Sequence, residues 1–267
     1  VLRECLKNCY KLLLYPINTG GAKASATVGG LTITAKKAGL LGNQIKIVIK
    51  KNKTDYDVVT LFKTNQVDVK TVKSLDELKE NNFVVFAGEG VVTPTAGTNL
   101  ENGTDGTVSK ATYTKYFDLM KTKSWQVMGI PSTDSSIPPL ATEYIKTLRD
   151  KLGKKVQCVV YDYVEANHEG VISCKQGYKT KTETIEKEIF VAYVTGATAG
   201  ANINQSNCYK IIDGATEIIG DLPEDELEIE LEKGYFLLTK RVDGKIVILD
   251  DNNTFTEFTP EKDRDFA

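Results

Sequence analysis

The chain has 267 residues, of which 41% are hydrophobic and 26% are charged, a composition typical of a folded globular protein. Its formal net charge of −2 offers no basic excess to neutralise phosphates, so nucleic acid is not an expected partner. No apolar run approaches the roughly 20 residues of a membrane-spanning helix, so no membrane partner is expected either.

The first residues, 1–21, have the character of an α/β fold. Apolar residues recur with helical spacing over 1–13, and a short apolar segment at Leu12–Ile17 predicts a strand. No N-cap precedes this helix, and near the other end Thr259 and Pro260 begin a helix that the sequence does not continue. We therefore expect this sequence to be a fragment of a longer chain.

Apolar and polar residues alternate over most of residues 22–95, as they do in half-buried strands. The clearest example is QIKIVIK, in which Ile45, Ile47 and Ile49 alternate with Gln44, Lys46 and Lys50. Gly29–Gly30 lies between two such runs and predicts a hairpin turn, and a single short helix is predicted at 74–81. Together these patterns predict a small antiparallel β-sandwich domain.

A polar stretch rich in glycine and threonine at 93–109 predicts a surface connection, and the pattern changes after it. Helices are predicted at 109–121 and 138–152, and apolar strands at 125–130 and 155–161. Strands that are apolar throughout and alternate with helices are typical of a parallel sheet covered by helices.

The α/β region continues with a helix at 186–200, whose GATAG sequence permits close packing, and with an acidic helix at 223–233. A hairpin follows, with Asp243–Gly244 at its turn. Because residues 1–21 and 96–240 share the α/β character, the β domain between them is predicted to be an insertion.

The cysteine pattern does not indicate a disulfide framework. The five cysteines are an odd number without a CxxC motif, and Cys5 and Cys9 are four residues apart on a predicted helix, a spacing poorly suited to a disulfide. We expect buried, reduced thiols in a protein made in the cytosol. The positions are Cys5, Cys9, Cys158, Cys174 and Cys208.

A nucleophilic triad would have to use the single histidine of the chain, His168. Its possible partners are Ser132 or Ser135 and Asp134 or Asp162, which follow predicted strands, where α/β folds place their active sites. The sequence has no G-x-S-x-G nucleophile elbow. A solvated loop that caps the next helix is the favoured interpretation of the serine-rich segment, so no catalytic residue is assigned.

Metal and cofactor sites are not expected either. One histidine and scattered cysteines form no zinc-binding pattern. A carboxylate site from Asp134, Asp162 and Glu165 is conceivable, but loops of α/β folds carry such residues routinely. The sequence has no phosphate-binding glycine motif, and no pair of acids stands out as a sugar-hydrolysing pair.

Five segments, at 20–49, 101–120, 125–137, 191–206 and 235–266, resemble contractile phage tail sheath proteins in the same order and with consistent spacing. They include GGAKASATVGGLTITAKKAGLLGNQIKIVI, WQVMGIPSTDSSI and VAYVTGATAGANINQS. The resemblance is closest to sheath proteins of bacilli- and clostridia-type phages and of phage-tail-like bacteriocins.

The resemblance implies an inserted β-sandwich domain at 22–95 and a central α/β domain at 96–240 that is similar to the subtilisin fold without its catalytic residues. Residues 1–21 would be the first helix and strand of that central domain, and residues 241–267 would begin a C-terminal domain. The implied role is structural and not enzymatic, with neither cofactor nor metal. Subunits of this family stack as rings, and contraction drives an inner tube through a cell envelope.

The implied partners are copies of the same chain, joined through terminal arms, together with an inner tail tube protein and baseplate and tail terminator proteins. The implied location is the bacterial host cytoplasm during assembly and then a virion tail or tail-like particle. Without the arms, the fragment is expected to be soluble and unable to polymerise. Two other interpretations stay open, namely a hydrolase or degenerate hydrolase on an α/β scaffold and a secreted adhesion module, which the reduced cysteines disfavour.

Overall fold

The computed structural model describes residues 1–202 and 204–257, and the helix predicted to begin at Thr259 lies outside them. The chain divides into two compact units. The first, referred to as the α/β unit, is Val1–Tyr15 with Phe117–Ala267, and the second, the β unit, is Pro16–Tyr116.

The chain begins with one short helix, α1 (Leu2–Leu6). The predicted helix over 1–13 is therefore wrong in its length, and residues 12–17 form no strand. The reason is tertiary contact, which overrides local propensity. The chain leaves helical geometry where the carbonyl groups of Cys5 and Asn8 meet a later helix of the same unit.

The β unit contains seven strands among the described residues, as the alternating pattern predicts. They are β1 (Lys23–Val28), β2 (Leu31–Ala38), β3 (Ile45–Asn52), β4 (Asp55–Phe62), β5 (Asn65–Val72), β6 (Val84–Gly88) and β7 (Thr95–Asn99). These strands form two antiparallel sheets with the orders β1-β2-β6 and β5-β4-β3-β7. The predicted helix at 74–81 is only a 3-10 turn, Leu75–Glu77.

The core of the β unit is built from the alternating aliphatic residues. The prediction of a hairpin at Gly29–Gly30 is confirmed, because Val28 pairs with Leu31 across the turn and Gly29 has a positive φ of 59°. The most buried core residues are Ala24, Leu31, Ile33, Ala35, Ile47, Ile49, Val58, Val84, Val92 and Leu100.

The α/β unit holds the remaining elements, and its helices alternate with short strands. They are α2 (Lys110–Met120), of which residues 110–116 still belong to the β unit, then β8 (Val127–Ile130), α3 (Ile137–Lys146), β9 (Gln157–Tyr161), β10 (Val171–Cys174), β11 (Gly177–Thr180), β12 (Thr184–Ile185), α4 (Lys187–Gly200), β13 (Ala215–Ile219), α5 (Glu224–Glu232), β14 (Tyr235–Phe236), β15 (Leu238–Lys240) and β16 (Ile246–Ile248).

Four strands form a parallel sheet in the order β14-β10-β9-β8, so the prediction of a parallel sheet is confirmed. Cys158, Val159 and Val160 of β9 are all fully buried, which explains the unbroken apolar sequence of this strand. Helices α3 and α4 pack against the sheet. Gly129 of β8 leaves room for Thr195 of α4, since a Cβ atom at 129 would lie 2.3 Å from the threonine Oγ1.

Two predicted elements of this unit need correction. The helix predicted at 138–152 changes at Thr147 into a π-helical segment, Thr147–Lys151, which brings its side chains to the loop before β10. The predicted hairpin is shorter than expected, because Tyr235–Phe236 pairs with β10 in the parallel sheet and β15 alone pairs with β16. In the described part of the chain, no helix has the length and apolar character needed to span a membrane.

Candidate functional site

His168 lies in the loop 162–170 between β9 and β10, and it is 6% exposed. The backbone N–H of Gly170 donates a hydrogen bond to its Nδ1 at 3.0 Å. Because Nδ1 accepts this bond, the ring proton is on Nε2, which faces the Asp150 carboxylate at 3.3 Å. The histidine is therefore held at both ring nitrogens.

Arg149 and Asp150 reach this loop from the π-helical segment. The guanidinium of Arg149 donates to Oε1 of Glu169 at 3.0 and 3.2 Å and to the carbonyl of Val156 at 3.1 Å. Burial raises the pKa of Glu169, but hydrogen bonds from the backbone and from Arg149, together with nearby positive charge, outweigh it and lower the pKa. The cluster is thus an ion-paired network.

The cluster of Asp150, His168 and Glu169 has the donor atoms of a possible metal site, but the existing hydrogen bonds of its side chains do not fit metal binding. Asp150, His168 and Glu169 each place one ligand atom within 4.8 Å of the others. A metal on Nε2 would require the proton to move to Nδ1, where it would oppose the N–H of Gly170. Glu169 is already engaged by Arg149. The geometry fits a hydrogen-bonded histidine that stabilises the loop.

The residues considered for a triad do not converge on His168. The Oγ atom of Ser132 accepts the N–H of Asp134 at 3.3 Å, and Oδ1 of Asp134 accepts the N–H of Ser136 at 2.9 Å. This turn leads directly into α3, whose N-cap residue Ser136 makes no side-chain capping hydrogen bond. Ser135 is exposed on the same turn.

The remaining candidates, Asp162 and Glu165, have other surroundings. Asp162 accepts a hydrogen bond from the hydroxyl of Tyr235 at 2.8 Å, and Glu165 is exposed. Within residues 1–202 and 204–257, the side-chain partners of the His168 ring are Asp150 and Glu169. Sequence reasoning missed Asp150, because nothing in the local pattern marks the π-helical turn that brings it to the loop.

A second polar cluster fastens α1 to the body of the α/β unit. The carboxylate of Glu4 is 2% exposed, and it accepts hydrogen bonds from the Tyr178 hydroxyl and, at 2.9 Å, from the ammonium group of Lys7. Burial raises the pKa of Glu4, but these hydrogen bonds and the charges of Lys7 and Arg3 outweigh it, and the pKa is lowered. The burial of Tyr178, together with the same contact, raises the pKa of its phenol.

The backbone that follows Glu4 rests on glycines of α4, in an arrangement referred to as the glycine seat. A Cβ atom at Gly196 would lie 2.1 Å from the carbonyl oxygen of Cys5, and one at Gly200 would lie 1.8 Å from that of Asn8. Real side chains cannot approach backbone so closely. The prediction that the small residues of GATAG permit close packing is confirmed.

Two family models match the chain in succession and together cover most of it. Residues 19–105 match the phage tail sheath protein beta-sandwich domain, and residues 106–254 match the phage tail sheath protein central domain. The first match falls on the strands of the β unit, and the second begins at the connection that leads into α2.

Solved structures of sheath tail proteins are similar to the chain. The protein from Desulfitobacterium hafniense is 38% identical with a TM-score of 0.91, over 100% of this chain and 65% of that one. The sheath tail protein Lin1278 from Listeria innocua is 31% identical with a TM-score of 0.73, over 97% of this chain and 61% of that one.

Curated relatives come from Bacillus subtilis. The phage-like element PBSX protein XkdK is 33% identical and the uncharacterised protein YqbK is 34% identical, each over 100% of this chain. The chain spans 62% of the length of each of these relatives. The matches to a sheath β-sandwich domain and then to a sheath central domain place the chain in a class of phage tail structural proteins. The chain belongs to the phage tail sheath protein family.

Proposed function

We propose that this chain is the core of a contractile tail sheath subunit. Its copies would polymerise as helical rings around an inner tail tube and contract to drive the tube through a cell envelope. The observation that carries the proposal is the succession of the two sheath family matches along 19–254. The similarity to the Desulfitobacterium hafniense sheath tail protein over the whole chain supports it.

The partners that we propose follow from this role. They are further copies of the same subunit, the inner tail tube protein, and the baseplate and tail terminator proteins that close the two ends of a sheath. Nucleic acid and membrane are not among them. The proposed location is the host cytoplasm during assembly and afterwards the virion tail or a phage-tail-like particle.

We also propose that the α/β unit is a subtilisin-like scaffold that serves as a rigid body and not as an enzyme. The engagement of both ring nitrogens of His168 by Gly170 and Asp150 supports this, because a general base needs a free nitrogen directed at a nucleophile. In this proposal residues 1–21 and 96–240 form the scaffold, 22–95 is an inserted sandwich, and 241–267 begins a C-terminal domain.

Electron microscopy of the full-length protein, produced without other tail components, tests the proposal. Hollow tubes or stacked rings are expected. The variant His168→Asn is the matched control, because its side-chain oxygen can accept the Gly170 N–H in place of Nδ1 while general-base capacity is removed.

The control variant is expected to assemble like the unmodified protein. Full-length protein that stays monomeric at high concentration and ionic strength would contradict the sheath role. Ester or peptide hydrolysis that disappears in His168→Asn would instead support the hydrolase interpretation.

A further inference from the structure

The thiols of Cys5 and Cys9 lie side by side, although their spacing on a continuous helix would not favour a bond between them. Helix α1 ends at Leu6, and the chain then turns so that the two sulfur atoms are 3.7 Å apart. The thiol of Cys9 donates to the carbonyl oxygen of Cys5 at 3.3 Å, which holds it over the end of the helix. The prediction that this pair is unsuited to a disulfide therefore rested on a helix that the structure does not contain.

The two thiols differ in their access to solvent. Cys5 is 4% exposed, whereas Cys9 is only half-buried and open to a small reagent. Burial, the hydrogen bond to Cys9 and the proximity of that second thiol raise the pKa of Cys5 to about 12. Cys9 is therefore the sulfur that an oxidant meets first, and Cys5 is the sulfur that reacts second.

We propose that Cys5 and Cys9 are a disulfide-forming pair that closes when the protein meets a small-molecule disulfide such as oxidised glutathione. The Cys9 thiolate attacks one sulfur of the reagent, forms a mixed disulfide and releases one glutathione thiolate. Cys5 then loses its proton to solvent and attacks the Cys9 sulfur, which releases the second glutathione thiolate. The two protein thiols are oxidised, and one glutathione disulfide is reduced to two glutathione molecules.

A disulfide between Cys5 and Cys9 would affect how α1 is held against α4, because of where the two cysteines lie. The ring that it closes contains residues 5–9, and the carbonyl groups of Cys5 and Asn8 within this ring are those that rest on Gly196 and Gly200. A covalent link across the ring fixes the backbone shape that fits the glycine seat. Oxidation would therefore hold α1 and the turn after it on α4. This inference does not depend on the proposed sheath role.

Peptide mapping tests the proposal directly, because Lys7 lies between the two cysteines. Tryptic cleavage after Arg3, Lys7 and Lys11 releases ECLK (4–7) and NCYK (8–11) as separate peptides from the reduced protein. After exposure to oxidised glutathione, and with remaining thiols blocked before digestion, the two peptides are expected as one disulfide-linked species. The intact mass should fall by the mass of two hydrogen atoms.

Two variants serve as controls. Cys9→Ser removes the first attacking thiol and is expected to abolish the linked peptide, whereas Cys208→Ser replaces the other half-buried cysteine and is expected to leave it unchanged. Closure should accelerate as pH rises, because Cys5 must ionise. Amide exchange of residues 2–9 should slow on oxidation in the unmodified protein and in Cys208→Ser, but not in Cys9→Ser.

Three results would overturn the proposal. The first is that all five thiols stay free after treatment. The second is a persistent mixed disulfide of glutathione with Cys9, because it would mean that Cys5 cannot reach it. The third is a disulfide-linked dimer through Cys9 in place of the intramolecular link.

Discussion

The two units of the chain bury different kinds of side chain. The core of the β unit is mainly aliphatic, and its buried polar residues among those described are Thr60 and Thr112. The α/β unit, by contrast, buries a carboxylate, an imidazole and two side-chain amides, as well as a cluster of aromatic rings. Its buried polar residues are Glu4, Thr142, His168, Ser173, Gln176, Thr195, Asn207 and Thr254.

Several buried polar groups of the α/β unit bind defined partners, although among the described residues the hydroxyl of Thr142 and the side-chain oxygen of Asn207 have none. Gln176 donates to the carbonyl of Gly220 at 3.1 Å and accepts the N–H of Leu238 at 2.6 Å, so one amide joins two distant segments. A buried polar group that loses its partner costs more free energy than a buried methyl group that loses a contact. The stability of the β unit therefore depends on its total buried apolar area, whereas that of the α/β unit depends on particular hydrogen-bond partners.

The largest effect is expected from Phe190→Ala in α4. Phe190 is fully buried, stacks on Tyr193 with ring centroids 5.6 Å apart and meets the edge of Tyr178 at 5.9 Å. Removal of a buried ring typically costs about 3–5 kcal/mol of unfolding free energy. Urea unfolding measures the loss, and hydrogen exchange should show it in β9 and α4.

A smaller loss of about 0.5–1.5 kcal/mol is expected from Ile47→Val in the fully buried centre of the β unit, because this substitution removes only one methylene group. A loss as large as that of Phe190→Ala would show that the aliphatic core is at least as sensitive to lost contacts as the aromatic cluster.

A smaller effect is expected from Glu4→Gln. The substitution keeps a hydrogen-bond acceptor for Tyr178 but removes the charge that Lys7 faces, and a hydrogen bond to a charged group contributes about 1.5–3 kcal/mol. Amide exchange in α1 is the measurement, because the loss is local. Glu183→Gln is the control, since Glu183 pairs with Arg3 at the surface, where such pairs contribute about 0–1 kcal/mol.

The lowered pKa of Glu4 predicts that the stability of α1 against local unfolding depends on pH. The pKa of Glu4 is lower in the folded chain than its unfolded value of 4.5, so its stabilising contribution is complete above pH 4.5. The contribution is lost as pH falls through the lower, folded pKa. Protection of the α1 amides should decrease over this acidic range and should decrease less in Glu4→Gln. An identical pH profile for both proteins would contradict the buried ion pair.

The next effect concerns the glycine seat. Gly196→Ala should destabilise the protein by about 1–3 kcal/mol through overpacking, although alanine favours a helix by about 1 kcal/mol over glycine. The cause is the 2.1 Å approach of the new Cβ to the carbonyl oxygen of Cys5. In a chain that lacks residues 1–9 the collision partner is absent, so the same substitution should become neutral or stabilising. A loss of stability in both backgrounds would point to another cause.

The smallest effect is expected from Lys36→Ala in the β unit. The Lys36 ammonium lies 2.9 Å from the Glu80 carboxylate, but the two side chains are 30% and 59% exposed. Such surface pairs contribute about 0.2–1 kcal/mol at most. The change in urea midpoint should lie near the error of the measurement. A loss as large as that of Glu4→Gln would show that the β unit, too, depends on particular partners.

Much of the β unit could be predicted from the sequence because its signals are local. Alternation over β3 identifies the buried face, and Gly29–Gly30 fixes the register of the first hairpin. Each strand from β3 to β5 pairs with its neighbour in sequence. The parallel sheet was also predictable, since β9 is apolar on both faces.

The rest of the α/β unit depends on distant contacts that no local pattern contains. The strand Gly177–Thr180 pairs with Ala215–Ile219, and neither segment has a distinctive alternation. Asp150 reaches His168 only because helix α3 ends in a π-helical segment. The length of α1 was overestimated because the glycine seat, which ends its helical geometry, is formed by residues far along the chain.

The attachment of α1 also has a consequence for synthesis. Glu4 and Tyr178 are 174 residues apart, and the whole β unit is translated between them. At the usual rate of ribosomal elongation, α1 exists for about 10–40 s before α4 is complete. All strand pairings of the β unit can form in that interval, whereas the N-terminal helix has no surface on which to dock. Closure of the α/β unit by its own first residues is therefore a late, long-range step in folding.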